Sequence, residues 1–193
     1  MHISPFMSLV VAFVLMLSCQ KLQAQSSKQY YISFMARNAS LRPFSIGGHA
    51  FIAWATSPVG DTVATVRKSL GFYPQEGSSI LTLVVEKRRG RIVRGFRTNS
   101  RDMILRHFSI AVDSATWYDT QCLGDVWNYQ PYNLLNRNCV HFINEVAERC
   151  ALELPRTTTL LFGFPRKPFK YVRNLQRRNR KLAVRMNKIQ LRE

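Results

Sequence analysis

Acidic residues are scarce in this chain of 193 residues: 11 Asp and Glu stand against 28 Lys and Arg, a formal net charge of +17. Cysteine is scarce too, with four residues, and their spacing does not resemble that of a tetrahedral zinc site. The chain has no internal repeat and no low-complexity tract. Because 46% of its residues are hydrophobic, a wholly disordered protein is excluded, and the length fits one well-buried domain with short appendages.

The first segment of the chain is apolar from Phe6 to Leu17. It is too short for a good membrane span and is followed by the small residue Ala24, so we predict a signal peptide over residues 1–24. A lipoprotein with a lipidated Cys19 is the alternative, since Cys19 follows a Met-Leu-Ser sequence. Either route predicts an exported protein of the periplasm, the cell envelope or the extracellular space.

Three cysteines remain after that cleavage: Cys122, Cys139 and Cys150. In an exported protein an odd count indicates one pair and one free thiol, and a disulfide between Cys122 and Cys150 would leave Cys139 free. Three buried, reduced cysteines are the equal alternative.

Positive charge is concentrated at the end of the chain, where Arg166 to Glu193 contains eleven Lys or Arg and one acidic residue. A second basic cluster covers residues 87–101. These surfaces favour an anionic membrane surface or another polyanion as partner, rather than nucleic acid. After a linker at 156–168, apolar residues recur with helical period over 169–193, which predicts a basic amphipathic tail lying in a membrane interface. A solvated extension is the alternative.

The pattern of the remaining residues predicts an α+β domain over residues 26–155, in which an antiparallel sheet packs against helices. A turn over Thr56–Asp61 separates the second and third strands, and the Arg89-Gly90 turn joins a basic hairpin made of Ile80 to Glu86 and Arg91 to Phe96. The other predicted strands are Tyr30 to Met35, Gly48 to Ala55, Thr62 to Phe72 and Met103 to Val112. The predicted helices run from Ser114 to Trp127 and from Cys139 onward.

Cys139 is the first candidate for chemistry. It follows Asn138, a typical N-cap residue, so its thiol would lie at the positive end of a helix dipole, which favours the nucleophilic thiolate. The apolar stripe of the same helix would direct the thiol toward the protein body. An ordinary buried core cysteine is the alternative.

His49 is the candidate base, because a strand can present its imidazole to a helix N-terminus. A buried, hydrogen-bonded histidine without function is the alternative at this position. His141 lies two residues after Cys139 and would project to another side of the helix, so we expect a structural role for it. His107 is a spare candidate that we expect at the surface.

The segment from Tyr132 to Glu145, which contains the sequence Asn-Cys-Val-His-Phe, resembles the cysteine segment of the lecithin:retinol acyltransferase-like family. That family is the circularly permuted branch of the NlpC-type papain-like enzymes, in which the histidine precedes the cysteine. His49-Ala-Phe-Ile-Ala-Trp resembles the family's histidine strand, and the gap of about ninety residues to Cys139 fits. The resemblance covers Tyr30 to Leu154.

The resemblance implies a permuted papain-like core and a thioester mechanism without cofactor or metal. Cys139 would attack an ester or amide carbonyl of a small-molecule or lipid acyl substrate, and His49 would accept and return the proton. The Cys139 backbone N–H would stabilise the oxyanion, with Tyr132 or Asn133 as second donor or as part of the cleft and Asn138 beside them on the substrate side.

The family also carries a third polar residue twelve positions after the first histidine, which is Asp61 here. A hairpin centred near Pro58 would instead place Thr65 or Ser69 opposite His49, so the orienting residue stays open among these three.

Two other functions compete with a lipid-directed hydrolase or acyltransferase. The wider superfamily cuts peptidoglycan stem peptides, so an amidase of that kind is one alternative. A non-catalytic secreted binder of anionic lipid or polymer is the other, and it depends on the charge alone.

Overall fold

The computed structural model describes residues 28–37, 48–61, 63–75, 80–94, 104–157, 167–183 and 190–192. The predicted signal peptide, Cys19 and most of the predicted linker at 156–168 lie outside these residues. Among the described residues, no helix is both long and apolar enough to cross a membrane.

One sheet organises the domain, with strand order β5-β1-β2-β3-β4-β6 and antiparallel neighbours throughout that path. A short β7 adds to β3 in parallel. The strands are β1 Lys28–Arg37, β2 His49–Pro58, β3 Val63–Pro74, β4 Arg88–Arg94, β5 Ile104–Val112, β6 Pro131–Tyr132 and β7 Gln190–Arg192.

Four helices accompany the sheet in the described chain: α1 Ile80–Val85, α2 Ser114–Trp127, α3 Cys139–Arg149 and α4 Pro168–Arg178. Alternate residues of β2, such as Ile52 and Trp54, are fully buried in the main core together with the apolar face of α3. The Trp54 indole N–H donates to Thr120 Oγ1 of α2 at 2.9 Å, which satisfies a polar atom inside that layer. The predicted α+β class, an antiparallel sheet packed against helices, is confirmed.

Local sequence signals located two helices well. Asp113 caps α2 by accepting from the Thr116 backbone N–H at 2.8 Å, and Asn138 caps α3. Both helices therefore begin where the N-cap residues predict.

The predicted basic hairpin around Arg89-Gly90 is wrong. Its first arm is the short helix α1, and Arg89-Gly90 lies inside β4, which pairs with β3. Gly90 is required by a close approach rather than by a turn, because a Cβ there would lie 2.3 Å from the Phe72 ring. A short apolar run such as Ile80–Val85 does not distinguish helix from strand.

The basic tail is helical in α4, but its apolar face does not lie in a membrane interface. Tyr171, Val172 and Leu175 are 0% exposed and belong to the main core, where each contributes about 1.5–3 kcal/mol. The interfacial orientation predicted for the tail is therefore wrong over α4, which is part of the domain, while residues 184–189 of the predicted tail lie outside the described residues. The cations on its other side, Lys170, Arg173, Arg177 and Arg178, are exposed.

The predicted disulfide is absent. Cys122 is exposed, Cys139 is buried, Cys150 is partly buried, and all three are free thiols. The alternative of three reduced cysteines is correct, except that Cys122 lies on the surface of α2.

Candidate functional site

The N-terminus of α3 is built by a capping box around Cys139. Asn138 Oδ1 accepts from the Val140 backbone N–H at 2.8 Å, and His141 Nδ1 accepts from the Asn138 backbone N–H at 3.3 Å. The Asn138 amide nitrogen donates to the Leu134 carbonyl at 2.7 Å. Asn138 and His141 thus hold the helix start that carries the thiol. Asn138 therefore has a structural role at the helix start, and its predicted substrate contact stays a prediction.

Asn133 is likewise a structural residue. Its amide nitrogen donates to the carbonyls of Val84 and Glu86, both at 3.2 Å, and its Oδ1 accepts from Leu135 and Asn136. Both amide hydrogens are therefore committed to the loop before α3. The prediction that Asn133 donates to an oxyanion is wrong for this reason.

Tyr132 lies directly against the start of α3. The Cys139 backbone N–H acts on its hydroxyl and by itself lowers the pKa of Tyr132. Burial raises the pKa of Tyr132 well above its usual value, so the phenol keeps its own proton and remains a hydrogen-bond donor.

Cys139 is 5% exposed, and the nearby backbone N–H groups of Ala50, Cys139 and Val140 act to lower the pKa of its thiol. These donors and the helix dipole favour the thiolate. Burial outweighs them and raises the pKa of the Cys139 thiol from 9.0 to about 11. The predicted acidic thiol is therefore wrong for this structure, where the sulfur is protonated near neutral pH.

His49 is the first residue of β2 and follows Gly48, which has a φ of +85°. Its ring stacks on Tyr73 with centroids 3.8 Å apart, and a Phe51 ring lies almost parallel at 6.5 Å. Nε2 of His49 is buried and has no hydrogen-bond partner among the described residues. Burial, and next the charge of Arg37, lower the pKa of His49 to about 3, so the imidazole is neutral.

The thiol and the imidazole come to the same end of β2. The backbone N–H of Ala50, the residue after His49, acts on the Cys139 thiol. Ala50 belongs to the core face that packs on the helices, whereas His49 shares the opposite face with Phe51. The paired ladder of β2 and β3 reaches only to Ile52 and Leu70 at this end. Cys139 and His49 therefore approach one strand end from two sides of the sheet.

A close approach of backbone to side chain fixes the imidazole position. A Cβ built on Gly71 would lie 2.7 Å from the Tyr73 ring and 2.8 Å from His49 Nε2. The missing side chain of Gly71 is the space into which Nε2 points.

None of the three predicted orienting residues lies beside His49. Ser69 pairs with Ala53, four residues or about 13 Å along β2 from His49, and Thr65 pairs with Thr56, farther still. Asp61 lies in the turn beyond the strand and accepts from the Val63 backbone N–H. The predicted hairpin centre was about three residues early, because β2 continues to Pro58.

Arg37 and Tyr73, the residues that do surround His49, were not predicted from the sequence. Arg37 pairs directly with His49 across β1 and β2, and its NH2 group donates to the Tyr73 hydroxyl at 3.0 Å. The correct hairpin register would have found Tyr73; no local signal marked Arg37. His107 is exposed on β5, as expected. No group of metal-ligating side chains occurs among the described residues.

No protein-family model and no curated protein matches the chain. Among solved structures, the chain is similar to the crystal structure of the type VI secretion system effector TseH, at 12% sequence identity and a TM-score of 0.44, covering 79% of this chain and 90% of that one.

Proposed function

We propose that this protein is a thiol-dependent hydrolase or acyltransferase that cleaves an ester or amide through a Cys139 acyl-enzyme, with His49 as the base. The proposal includes export of the protein and a place among the permuted papain-like enzymes. A lipid-like acyl chain is the favoured substrate, and a peptidoglycan stem peptide is the alternative.

The observation that carries the proposal is the buried Nε2 of His49, which has no hydrogen-bond partner among the described residues, at the strand end where the Ala50 backbone N–H acts on the Cys139 thiol. A buried polar nitrogen without a partner costs about 1–3 kcal/mol, and retaining it is typical of a group that acts on a proton. Cys139 supplies that proton, because its thiol is protonated at neutral pH.

The resting site is a neutral pair rather than an ion pair, and both side chains are more than nine-tenths buried. Reaction therefore requires an opening of the site and a rotation of the His49 ring toward the sulfur. The Sγ–H proton then passes to Nε2 while a bond forms between sulfur and the carbonyl carbon. The bond to the leaving group breaks next, and His49 returns the proton to that group. Water or an acceptor hydroxyl or amine then cleaves the thioester.

Tyr132 is the proposed oxyanion donor. Its hydroxyl lies beside the Cys139 backbone N–H and keeps a proton of its own to donate to a carbonyl oxygen next to the sulfur. This assignment retains Tyr132 from the sequence prediction and removes Asn133 from it.

A non-catalytic binder of anionic surfaces is the second candidate. The exposed cations of α4 favour it, since they form a positive face on a domain of high net charge. Binding of this kind would fall steeply with salt and would not need Cys139.

The test is a set of turnover assays on the secreted protein, with nitrophenyl esters of increasing chain length, anionic vesicles and purified sacculi. We expect acyl release that Cys139→Ser and His49→Gln each reduce by at least about a hundredfold, while Cys122→Ser, a surface thiol variant, behaves as wild type. Peptide release from sacculi without fatty acid release would indicate that the substrate is a peptidoglycan stem peptide. Vesicle binding that persists in Cys139→Ser without any turnover would favour the binder and contradict the enzyme.

A further inference from the structure

A row of three side chains crosses the sheet beside the proposed nucleophile. Arg37 of β1 and His49 of β2 are directly paired, so their side chains lie on one face. Tyr73 of β3 completes the row, since its ring stacks on His49 and its hydroxyl accepts from Arg37. A guanidinium group therefore stands next to the imidazole on the far side from α3.

The half-buried Arg37 has no acidic partner in the described part of the chain. The ion pairs found there lie at the surface and join Arg88 to Glu86, Arg94 to Asp125 and Arg149 to Asp119. One NH2 group of Arg37 is used on Tyr73, a neutral acceptor. A guanidinium group that is partly removed from water is stabilised most by an anion that forms two parallel hydrogen bonds with it.

The charge of Arg37 reaches both reacting groups. It acts on the His49 imidazole and on the Cys139 thiol, lowering the pKa of each. Among the described residues, the titratable groups that face His49 are Arg37 from β1 and Tyr73 from β3, with Cys139 of α3 at the same strand end. None of these is a carboxylate, the group that usually orients a catalytic histidine.

We propose that Arg37 binds a carboxylate of the substrate, and that the substrate is an acyl compound whose leaving group carries that carboxylate, such as an N-acyl amino acid. The leaving group takes its proton from His49 in the proposed reaction, and Arg37 is the direct cross-strand neighbour of His49. An anion on that side of the scissile bond therefore meets the guanidinium. This inference rests on the proposed function.

Binding of the carboxylate would also prepare the base. The positive charge of Arg37 disfavours protonation of His49, and a bound anion cancels that charge. The same anion removes the effect of Arg37 on the Cys139 thiol, so the imidazole becomes a stronger base while the thiol becomes a weaker acid. Selection for the carboxylate is therefore expected chiefly in KM.

The test compares two amides that differ in one group, N-lauroylglycine and N-lauroylglycinamide, by following release of the amine. We expect wild-type kcat/KM to be about tenfold to a hundredfold higher for the carboxylate. Arg37→Gln should bring the ratio of the two rates close to one, and Arg37→Lys should retain part of it. Arg94→Gln, which removes an exposed cation at the end of β4, is the matched control and should keep the wild-type ratio.

Equal rates for the two amides in the wild type would overturn the inference without the need of any variant, and so would an unchanged ratio in Arg37→Gln. If Cys139 cleaves nitrophenyl esters but the two amides react at equal rates, the proposed function stands and only this inference fails. Absence of any Cys139-dependent cleavage would instead remove the proposed function.

Discussion

Gly71→Ala is the substitution expected to disturb the packing around the His49 imidazole most directly. The added Cβ would lie 2.7 Å from the Tyr73 ring and 2.8 Å from His49 Nε2, each more than half an ångström short of the ordinary contact distance of 3.4 Å. Both rings are packed, so at least one must move. Overpacking of this kind costs about 1–3 kcal/mol of unfolding free energy.

The functional effect should exceed the effect on stability. A displacement near 1 Å of a catalytic group lowers turnover by about a hundredfold, so we expect kcat/KM of Gly71→Ala to fall about tenfold to a hundredfold in protein that is still folded. Urea unfolding followed by tryptophan fluorescence gives the stability, and ester turnover at 25 °C gives the activity.

Gly60→Ala is the control for this experiment. Gly60 has a φ of +85° in the turn after β2, and a Cβ there would meet nothing within 4 Å. It should cost about 1 kcal/mol through backbone strain and leave turnover per folded molecule unchanged. A Gly71→Ala variant with wild-type stability and wild-type turnover would refute the packing of His49 described above.

Three further predictions follow from burial and charge. Iodoacetamide at pH 8 should modify the exposed Cys122 at least about a hundredfold faster than Cys139, because the pKa of about 11 and the burial of Cys139 both suppress its thiolate; equal rates by peptide mass mapping would contradict this. The pKa of His49 is about 3 in the folded protein and 6.5 ordinarily, so between these pH values the unfolded chain binds a proton that the folded protein does not. The free energy of unfolding should therefore fall as pH decreases from about 6.5 toward 3. His49→Gln should flatten that slope, and an unchanged slope would contradict the burial of His49. Leu175→Ala should cost about 2–5 kcal/mol in urea unfolding, while Arg177→Gln should change stability by less than about 0.5 kcal/mol; a tail lying on a membrane would make both changes silent.

Features that depend on a few neighbouring residues could be predicted from the sequence. Asp113 and Asn138 fix where α2 and α3 begin, since a side-chain cap needs only the next two or three backbone N–H groups. The strands that contain Phe34 and Ile52 are equally clear. These features fix the α+β class and the elements that carry Cys139 and His49.

Features that depend on distant residues were missed. The partner of His49 follows from the register of β2 and β3, and the expected neighbours were wrong by several residues because β2 continues to Pro58 and the hairpin centre lies later than predicted. The helical period of α4 is the same whether Leu175 meets a membrane or a sheet, so the pattern did not indicate what the helix covers. Burial of the Cys139 sulfur, which reverses the effect of the helix dipole, is likewise a property of the assembled core.

Intact-mass spectrometry of the protein mixed with an activated acyl ester tests whether Cys139 and His49 act as a pair. We expect a single acyl group on Cys139, removable by neutral hydroxylamine as a thioester, absent from Cys139→Ala and formed at least about a hundredfold more slowly by His49→Gln. Acylation of His49→Gln at the wild-type rate would contradict the pairing of this thiol with this imidazole.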